Sequence, residues 1–449
     1  MPASVSIVSR LARSDLWLVP GLVMAVTGVG GLWRLPYLAA QYGGATFLVL
    51  YVAALVLVGW PLLAGQLMLA RGQRRDLASL LAWWAPGVWA PVFKAVGFAW
   101  LAGVAALLAV YGVIASWLLA YTGRAVGGWL AGRDTSAGAE ALSALVHQPE
   151  RGLGWLLLFW IVLVIAAVLS KPRYLSALLS SALFLTGLIG MAVMALVGMP
   201  DRVDTNPLLS FGPIGLDGVC QALVQAFHAL ALGSGLALVL GQQRRPRAAA
   251  LGPAAGIVAG VMLIGAASCM AWPVMFDAPT RVQLSGVSGL LAHVPTALPG
   301  RMAPMLFFIG ALLLALTTAL VLFEMLVQAV TRLRRISRTR ASTAVAGVLL
   351  IIGLWIQHDF GGAVGQPPRI ADLLTVAASD IVFPLAALLL ATLMAIGIDP
   401  HQLHLGSGRA VTALWHGLVR HPVRLALIVV AVEGLGLIDV LQRFWSDVP

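Results

Sequence analysis

Against a nearly continuous apolar background, a few residues carry chemistry. Arg34 stands inside an apolar run just after Thr27-Gly28-Val29-Gly30-Gly31, and His228 stands just before Leu232-Gly233-Ser234-Gly235. Thr317 and Thr318 are adjacent in a Leu/Ala/Val run that also holds Glu324, and Asp380 lies in a later run. An arginine in a membrane-spanning segment costs at least ~2.5 kcal/mol unless it faces water or a partner. Arg34 therefore needs an anion, and composition offers Asp372 at the outer start of the run that holds Asp380, with Asp380 itself as the alternative. An imidazole beside a helix break can donate to a solute, or change charge near neutral pH and carry a proton. Two neighbouring hydroxyls present neutral oxygens to a hard cation, or bond to carbonyls one turn back. For Glu324 and Asp380 the expected role is hydrogen bonding within a helix bundle.

The elements that position these residues follow from composition. Of 449 residues, 60% are hydrophobic and 10% charged. A soluble chain of this length carries about a quarter charged residues, so an ordinary cytosolic enzyme and a disordered protein are both excluded. Two cysteines, Cys220 and Cys269, make no disulfide or zinc framework. The net charge of +11 sits in short clusters between apolar runs rather than on one polybasic face, which argues against nucleic acid. A spanning helix needs about 20 apolar residues. The runs predict an all-α polytopic membrane protein with eleven spans: 16–37, 42–69, 91–123, 153–170, 174–198, 219–241, 251–277, 301–333, 341–358, 370–397 and 412–440. The first run continues into a second span and is not followed by a cleavage-like site, so it is expected to be mature structure.

Most of the 28 Lys and Arg fall on one side of this arrangement, among them Arg71, Arg74, Arg75, Lys94, Arg244, Arg245 and the cluster Arg332 to Arg340. By the positive-inside rule that side is the cytoplasm. The N-terminus is then cytoplasmic, the C-terminus outside, and the expected location is the plasma (inner) membrane. Glycines weaken a helix by about 1 kcal/mol each, so the first and sixth spans should break mid-membrane at Gly28-Val29-Gly30-Gly31 and Gly233-Ser234-Gly235. Unwound backbone at that depth is tolerated only where it is buried or lines a cavity. Two broken spans five helices apart are the mark of an inverted repeat with solute and ions held at the breaks, although glycines of this kind also serve close helix packing, as expected for Gly252, Gly256 and Gly260. The repeats are expected over 16–198 and 199–400, after a cytoplasmic segment 1–15 and before a last span with an external tail in 401–449.

Gly30-Gly31-Leu32-Trp33-Arg34-Leu35-Pro36-Tyr37, then Gly43-Gly44-Ala45-Thr46-Phe47 through Tyr51, then Gly59-Trp60-Pro61-Leu62, resembles the opening helices of the neurotransmitter:sodium symporter family, which has the LeuT fold. Tyr111 with Ser116-Trp117, Gln225-Ala226-Phe227 with Leu232-Gly233-Ser234-Gly235, and Leu316-Thr317-Thr318-Ala319 extend the resemblance through span eight. It implies sodium-coupled uptake of an amino acid or amine by alternating access. It implies a second sodium site from the Val26, Val29 and Leu314 carbonyls with the Thr317 and Thr318 hydroxyls. It also implies a solute pocket at Gly28, Gly30, Gly31, Tyr111, His228, Ala231, Ser234 and Thr318.

The sequence departs from the family pattern at the first sodium site, where the side-chain oxygens are replaced by Gly31, Ala229 and Gly256, and the first helix is two residues shorter through its break. One sodium per cycle and an altered substrate follow as expectations. Tyr51 and Gln225 match the family's chloride ligands as the remnant of an anion site, yet the missing oxygens argue against chloride. The aspartate that closes the outer gate on the first-helix arginine is replaced by Thr375, and Asp372, one turn away on the same face, is the expected substitute partner for Arg34. Competing classes are a proton-coupled or purely sensing protein of the same fold, and an intramembrane hydrolase using Ser288 of Gly286-Val287-Ser288-Gly289 with His293. No His-Glu-x-x-His motif or phosphate-binding loop is present. The expected partners are a small-molecule solute and the lipid bilayer.

Overall fold

The computed structural model describes residues 17–73, 75–85, 87–129, 136–169, 175–197, 207–246, 248–276, 286–361, 369–397 and 408–437. The segment 1–15 and the tail beyond 437 lie outside them. The described residues are helical, with one isolated bridge between Gly44 and Phe211. Among the described residues seven helices are long and apolar enough to cross a membrane by themselves: Ala45–Ala70, Gly87–Val126, Glu150–Leu169, Leu251–Trp272, Met302–Arg334, Arg338–Phe360 and Arg369–Ile396. The first and sixth expected spans escape this length criterion for the reason foreseen. Each is broken.

In chain order the helices are α1 (Leu18–Thr27), α2 (Arg34–Gln41), α3 (Ala45–Ala70), α4 (Leu77–Trp84), α5 (Ala90–Val126), α6 (Ser136–His147), α7 (Pro149–Leu169) and α8 (Leu175–Val197). They continue with α9 (Leu216–Ala229), α10 (Leu236–Gly241), α11 (Leu251–Met275), α12 (Val287–Ala297), α13 (Met302–Arg334), α14 (Arg338–Phe360), α15 (Arg369–Ile396) and α16 (409–434). The short helices α4, α6 and α12 lie between expected spans and were not foreseen. For α4 a local signal exists: Asp76 accepts from the Ser79 amide at 3.0 Å, satisfying an amide that the helix start leaves free.

Helix α1 packs on α8, α11 and α13, while α5 packs on α13, α4, α7 and α14. Trp100, Tyr121, Phe159, Phe308 and Phe323 are fully buried between them. Leu263, Met191 and Leu425 are instead 72%, 64% and 64% exposed; a bilayer covers such side chains at no cost in solvation. Among the described residues three helices, α3, α15 and α16, carry wider π-turns, at Leu55–Gly59, Val376–Val382, Leu393–Gly397 and Val419–Val423. Pro61 and Pro384 follow two of them closely and Pro422 lies in a third. A proline lacks the amide for the normal ladder and its ring pushes away the carbonyl one turn back, so the helix widens there. The loop before α9 is latched to the start of α3: Thr46 Oγ1 donates to the Gly212 carbonyl at 2.8 Å.

Candidate functional site

The first break is built on glycine. Gly28 ends α1 with φ 49° and ψ −172°, a conformation essentially reserved for residues without a Cβ. A short 3-10 turn, Val29–Leu32, then leads to α2. A Cβ on Gly28 would stand 3.3 Å from Thr318 Oγ1 and 3.5 Å from Tyr111 Oη, so α5 and α13 both reach the break. Gly30 is exposed, with open space where a side chain would be. The second break runs from Leu230 to Gly235, with Ala231 at φ 47° and Gly235 at φ 84°. Left-handed backbone at an alanine costs about 1–2 kcal/mol and persists only where its surroundings enforce it. Ser234 contributes: its Oγ donates to the Ala231 carbonyl at 2.7 Å, so this hydroxyl serves its own turn.

The hydroxyl pair divides. Thr317 Oγ1 donates to the Leu313 and Leu314 carbonyls at 2.9 and 3.0 Å, the local pattern of a helical threonine. Thr318 Oγ1 instead crosses to the first helix and donates to the Ala25 carbonyl at 2.9 Å. With both protons given to carbonyls, each oxygen keeps lone pairs for a cation. Tyr111 Oη faces Thr318 and the Val29 backbone, buried and without a well-formed hydrogen bond. The residues around Gly28 thus offer neutral oxygens only, a donor chemistry suited to sodium.

Outside this cluster lies a cavity of about 90 Å³ lined by Thr27, Gly30, Gly31, Arg34, Tyr51, Gln225, His228 and Ala229, with Val261, Ile264 and Gly265 from α11. Gly31 and Ala229 both line this cavity, and the wall that α11 adds is apolar. Gly256 is not part of it. A Cβ there would meet Val19, and the α11 residue that reaches the break is Ser268, whose Oγ donates to the Gly31 carbonyl at 3.0 Å.

The gate differs from expectation. Asp372 is exposed near the start of α15, and Thr375 bonds to the Ala371 carbonyl of its own helix. Arg34 Nη1 lies 3.1 Å from His228 Nδ1, and His228 Nε2 lies 3.8 Å from Asp380 Oδ1. A guanidinium only donates, so Nδ1 accepts and the ring proton of the neutral imidazole sits on Nε2, toward Asp380. The place expected for Asp372 is thus taken by Asp380, with His228 interposed. A second cavity of about 170 Å³ opens beyond, lined by Arg34, Gln221, His228, Ser379, Asp380 and Glu433 among others. Arg34 and His228 line both cavities and stand between them.

Glu324 fulfils the bundle role. It is buried and holds Arg338 at 2.9 and 2.6 Å through two guanidinium nitrogens; Arg338 also donates to the Ala167 carbonyl at the end of α7. Sequence reading missed Gln66, fully buried in α3 and donating to the Leu232 carbonyl in the second break. Its signal was there: an amide in an apolar span needs a polar partner. Ser288, the nucleophile of the hydrolase reading, is exposed near the start of α12.

Two broken helices that meet a hydroxyl-bearing partner, with cavities beside the breaks, are the arrangement found in secondary transporters. Comparison with known proteins agrees. The sodium:neurotransmitter symporter family description matches residues 17–137. An uncharacterized sodium-dependent transporter of Bacillus subtilis, YhdH, is 25% identical over 93% of this chain and 97% of its own length. One from Haemophilus influenzae is 23% identical over 94% and 97%. The crystal structure of MhsT in complex with L-phenylalanine superposes with a TM-score of 0.78 at 21% identity, covering 94% of this chain and 98% of that one. The chain thus has the LeuT fold of that neighbour, and it is similar to the sodium:neurotransmitter symporter family over residues 17–137 and to sodium-dependent transporters over nearly its whole length.

Proposed function

We propose that this protein couples entry of one sodium ion per cycle to uptake of a small solute, an amino acid or related amine, across the plasma membrane, with its N-terminus in the cytoplasm. The observation that carries the ion assignment is the Thr318 hydroxyl reaching across to the Ala25 carbonyl beside the Gly28 break. Sodium would be held there by the Val26, Val29 and Leu314 carbonyls and the Thr317 and Thr318 hydroxyls, so that its arrival ties the first helix to α13. The solute lies next to it, against Gly28, Tyr111 and the open backbone at Gly30, with His228 and Ala231 bordering from the sixth span. The apolar wall of α11 at the cavity holding Gly31 and Ala229 supports loss of the first sodium site. Tyr51 and Gln225 line the same cavity as a remnant, without a requirement for chloride. An amino-acid substrate draws support from the neighbour whose structure contains L-phenylalanine. The halves 16–198 and 199–400 serve as the inverted repeats, each opening on a broken helix.

Closure on the outer side is assigned to Arg34, His228 and Asp380. A protonated imidazole has no lone pair for Arg34, so uptake of a proton at His228 would break the bridge between the two cavities. This geometry favours a second reading, proton coupling. Both are tested by uptake of labelled amino acids and amines into proteoliposomes under an imposed sodium gradient, a proton gradient, or neither. Accumulation driven by sodium supports the proposal, and accumulation driven only by protons replaces it with the second reading. Solute binding with no accumulation under any gradient would make the chain a sensor.

A further inference from the structure

A cavity of about 380 Å³ lies between α15 and α16, away from both broken helices, lined by Leu388, Thr392, Arg420, His421, Arg424, Leu425 and Ile428. Its walls divide by chemistry. Leu388, Leu425 and Ile428 form an apolar slot open to the outside of the bundle, Leu425 being 64% and Ile428 46% exposed. Arg420, His421 and Arg424 gather at the other end, where Val419–Val423 forms a π-turn containing Pro422. Arg424 uses Nε to bond the Arg420 carbonyl at 2.5 Å, which anchors its guanidinium against the helix and leaves the two Nη groups for another partner. Among the described residues no carboxylate pairs with Arg420 or Arg424. Cations in a span pair with anions or backbone carbonyls, and among the described residues only the Arg420 carbonyl meets Arg424 here.

We propose that this cavity is a binding site for an anionic phospholipid. The phosphate sits between the two guanidinium groups, whose planar forks match its oxygens, with His421 and Thr392 beside it. An acyl chain lies along Leu388, Leu425 and Ile428. Charge complementarity selects this occupant: a zwitterionic lipid adds a third cation to a rim that already holds two, whereas phosphatidylglycerol brings a net negative charge. A basic pocket between transmembrane helices is a recognised setting for such head groups. The bound lipid would bridge α15, which carries Asp380, to α16.

The test is native mass spectrometry of the full-length chain in detergent, titrated with phosphatidylglycerol or phosphatidylcholine. Wild type should retain one phosphatidylglycerol well above the level of phosphatidylcholine. Each arginine contributes about fivefold, so Arg420→Gln with Arg424→Gln should weaken phosphatidylglycerol by about 25-fold. Arg420→Lys with Arg424→Lys should keep most of it. Elution as a single sharp peak in gel filtration checks that each variant is folded, and Arg424→Gln alone, with an expected fivefold loss, substitutes if the double variant is not. Equal retention of the two lipids by wild type overturns the proposal, as does undiminished phosphatidylglycerol binding in a folded glutamine variant. A dimer in wild type that is lost in the variant would overturn it too, by assigning the groove to a second copy of the chain.

Discussion

Replacing Thr318 with Val should strip solute binding of most of its sodium dependence while leaving the chain folded. The side chain is 9% exposed and donates to the Ala25 carbonyl at 2.9 Å; valine keeps the β-branched shape and removes the oxygen. Two costs follow. Loss of the hydrogen bond, with the Ala25 carbonyl left without its partner, takes about 1–3 kcal/mol from stability. Loss of an oxygen contact to a cation takes about 1.5–3 kcal/mol from ion binding, so half-saturation should need about 10- to 150-fold more sodium. The assay is equilibrium binding of a labelled solute to detergent-purified protein across a sodium titration, beside Thr318→Ser, which keeps the hydroxyl and should stay near wild type. A folded Thr318→Val variant with wild-type half-saturating sodium would refute the ion assignment, because the Thr318 hydroxyl is the oxygen that ties α13 to the first helix at the Ala25 carbonyl.

His228→Phe should change which solutes bind and remove the bridge between the two cavities; a solute panel with unaltered selectivity would take His228 out of the site. Asp380→Asn should raise the solute dissociation rate by weakening outer closure, whereas Asp372→Asn should leave it unchanged, and stopped-flow release separates the two. Gly28→Ala places a methyl 3.3 Å from Thr318 Oγ1 on backbone of positive φ, so binding should fall at least tenfold, a loss of about 1.4 kcal/mol, in the same equilibrium assay. Glu324→Gln should cost about 3 kcal/mol in thermal stability by leaving Arg338 without its buried carboxylate. Glu324→Gln with Arg338→Gln should cost less than the sum of the single changes, as a double-mutant cycle on contacting residues requires.

Sequence alone determined the class of protein and the places where its helices break. Apolar length marks spans because a bilayer leaves the backbone no other partner than its own helix, and the predicted bounds of the ninth and tenth spans fall within a few residues of α14 and α15. The breaks were legible because glycine is the residue that tolerates positive φ, as Gly28 and Gly235 do. Arg34, His228 and the Thr317-Thr318 pair were legible because a polar group in an apolar run needs a reason to be there.

Partners were a different matter. Thr318 and Thr317 are chemically alike, and only the rotation of α13 against α1 decides that one reaches Ala25 while the other bonds within its own helix. The choice of Asp380 over Asp372 likewise belongs to tertiary structure. Asp372 and Thr375 do share a regular helical turn within Arg369–Thr375, but Asp372 is exposed, and the π-turn over Val376–Val382 that follows carries Asp380 toward His228. A local pattern specifies which residues share a face of a regular helix. Which way that face turns, and where the helix departs from regularity, depends on the neighbours packed against it.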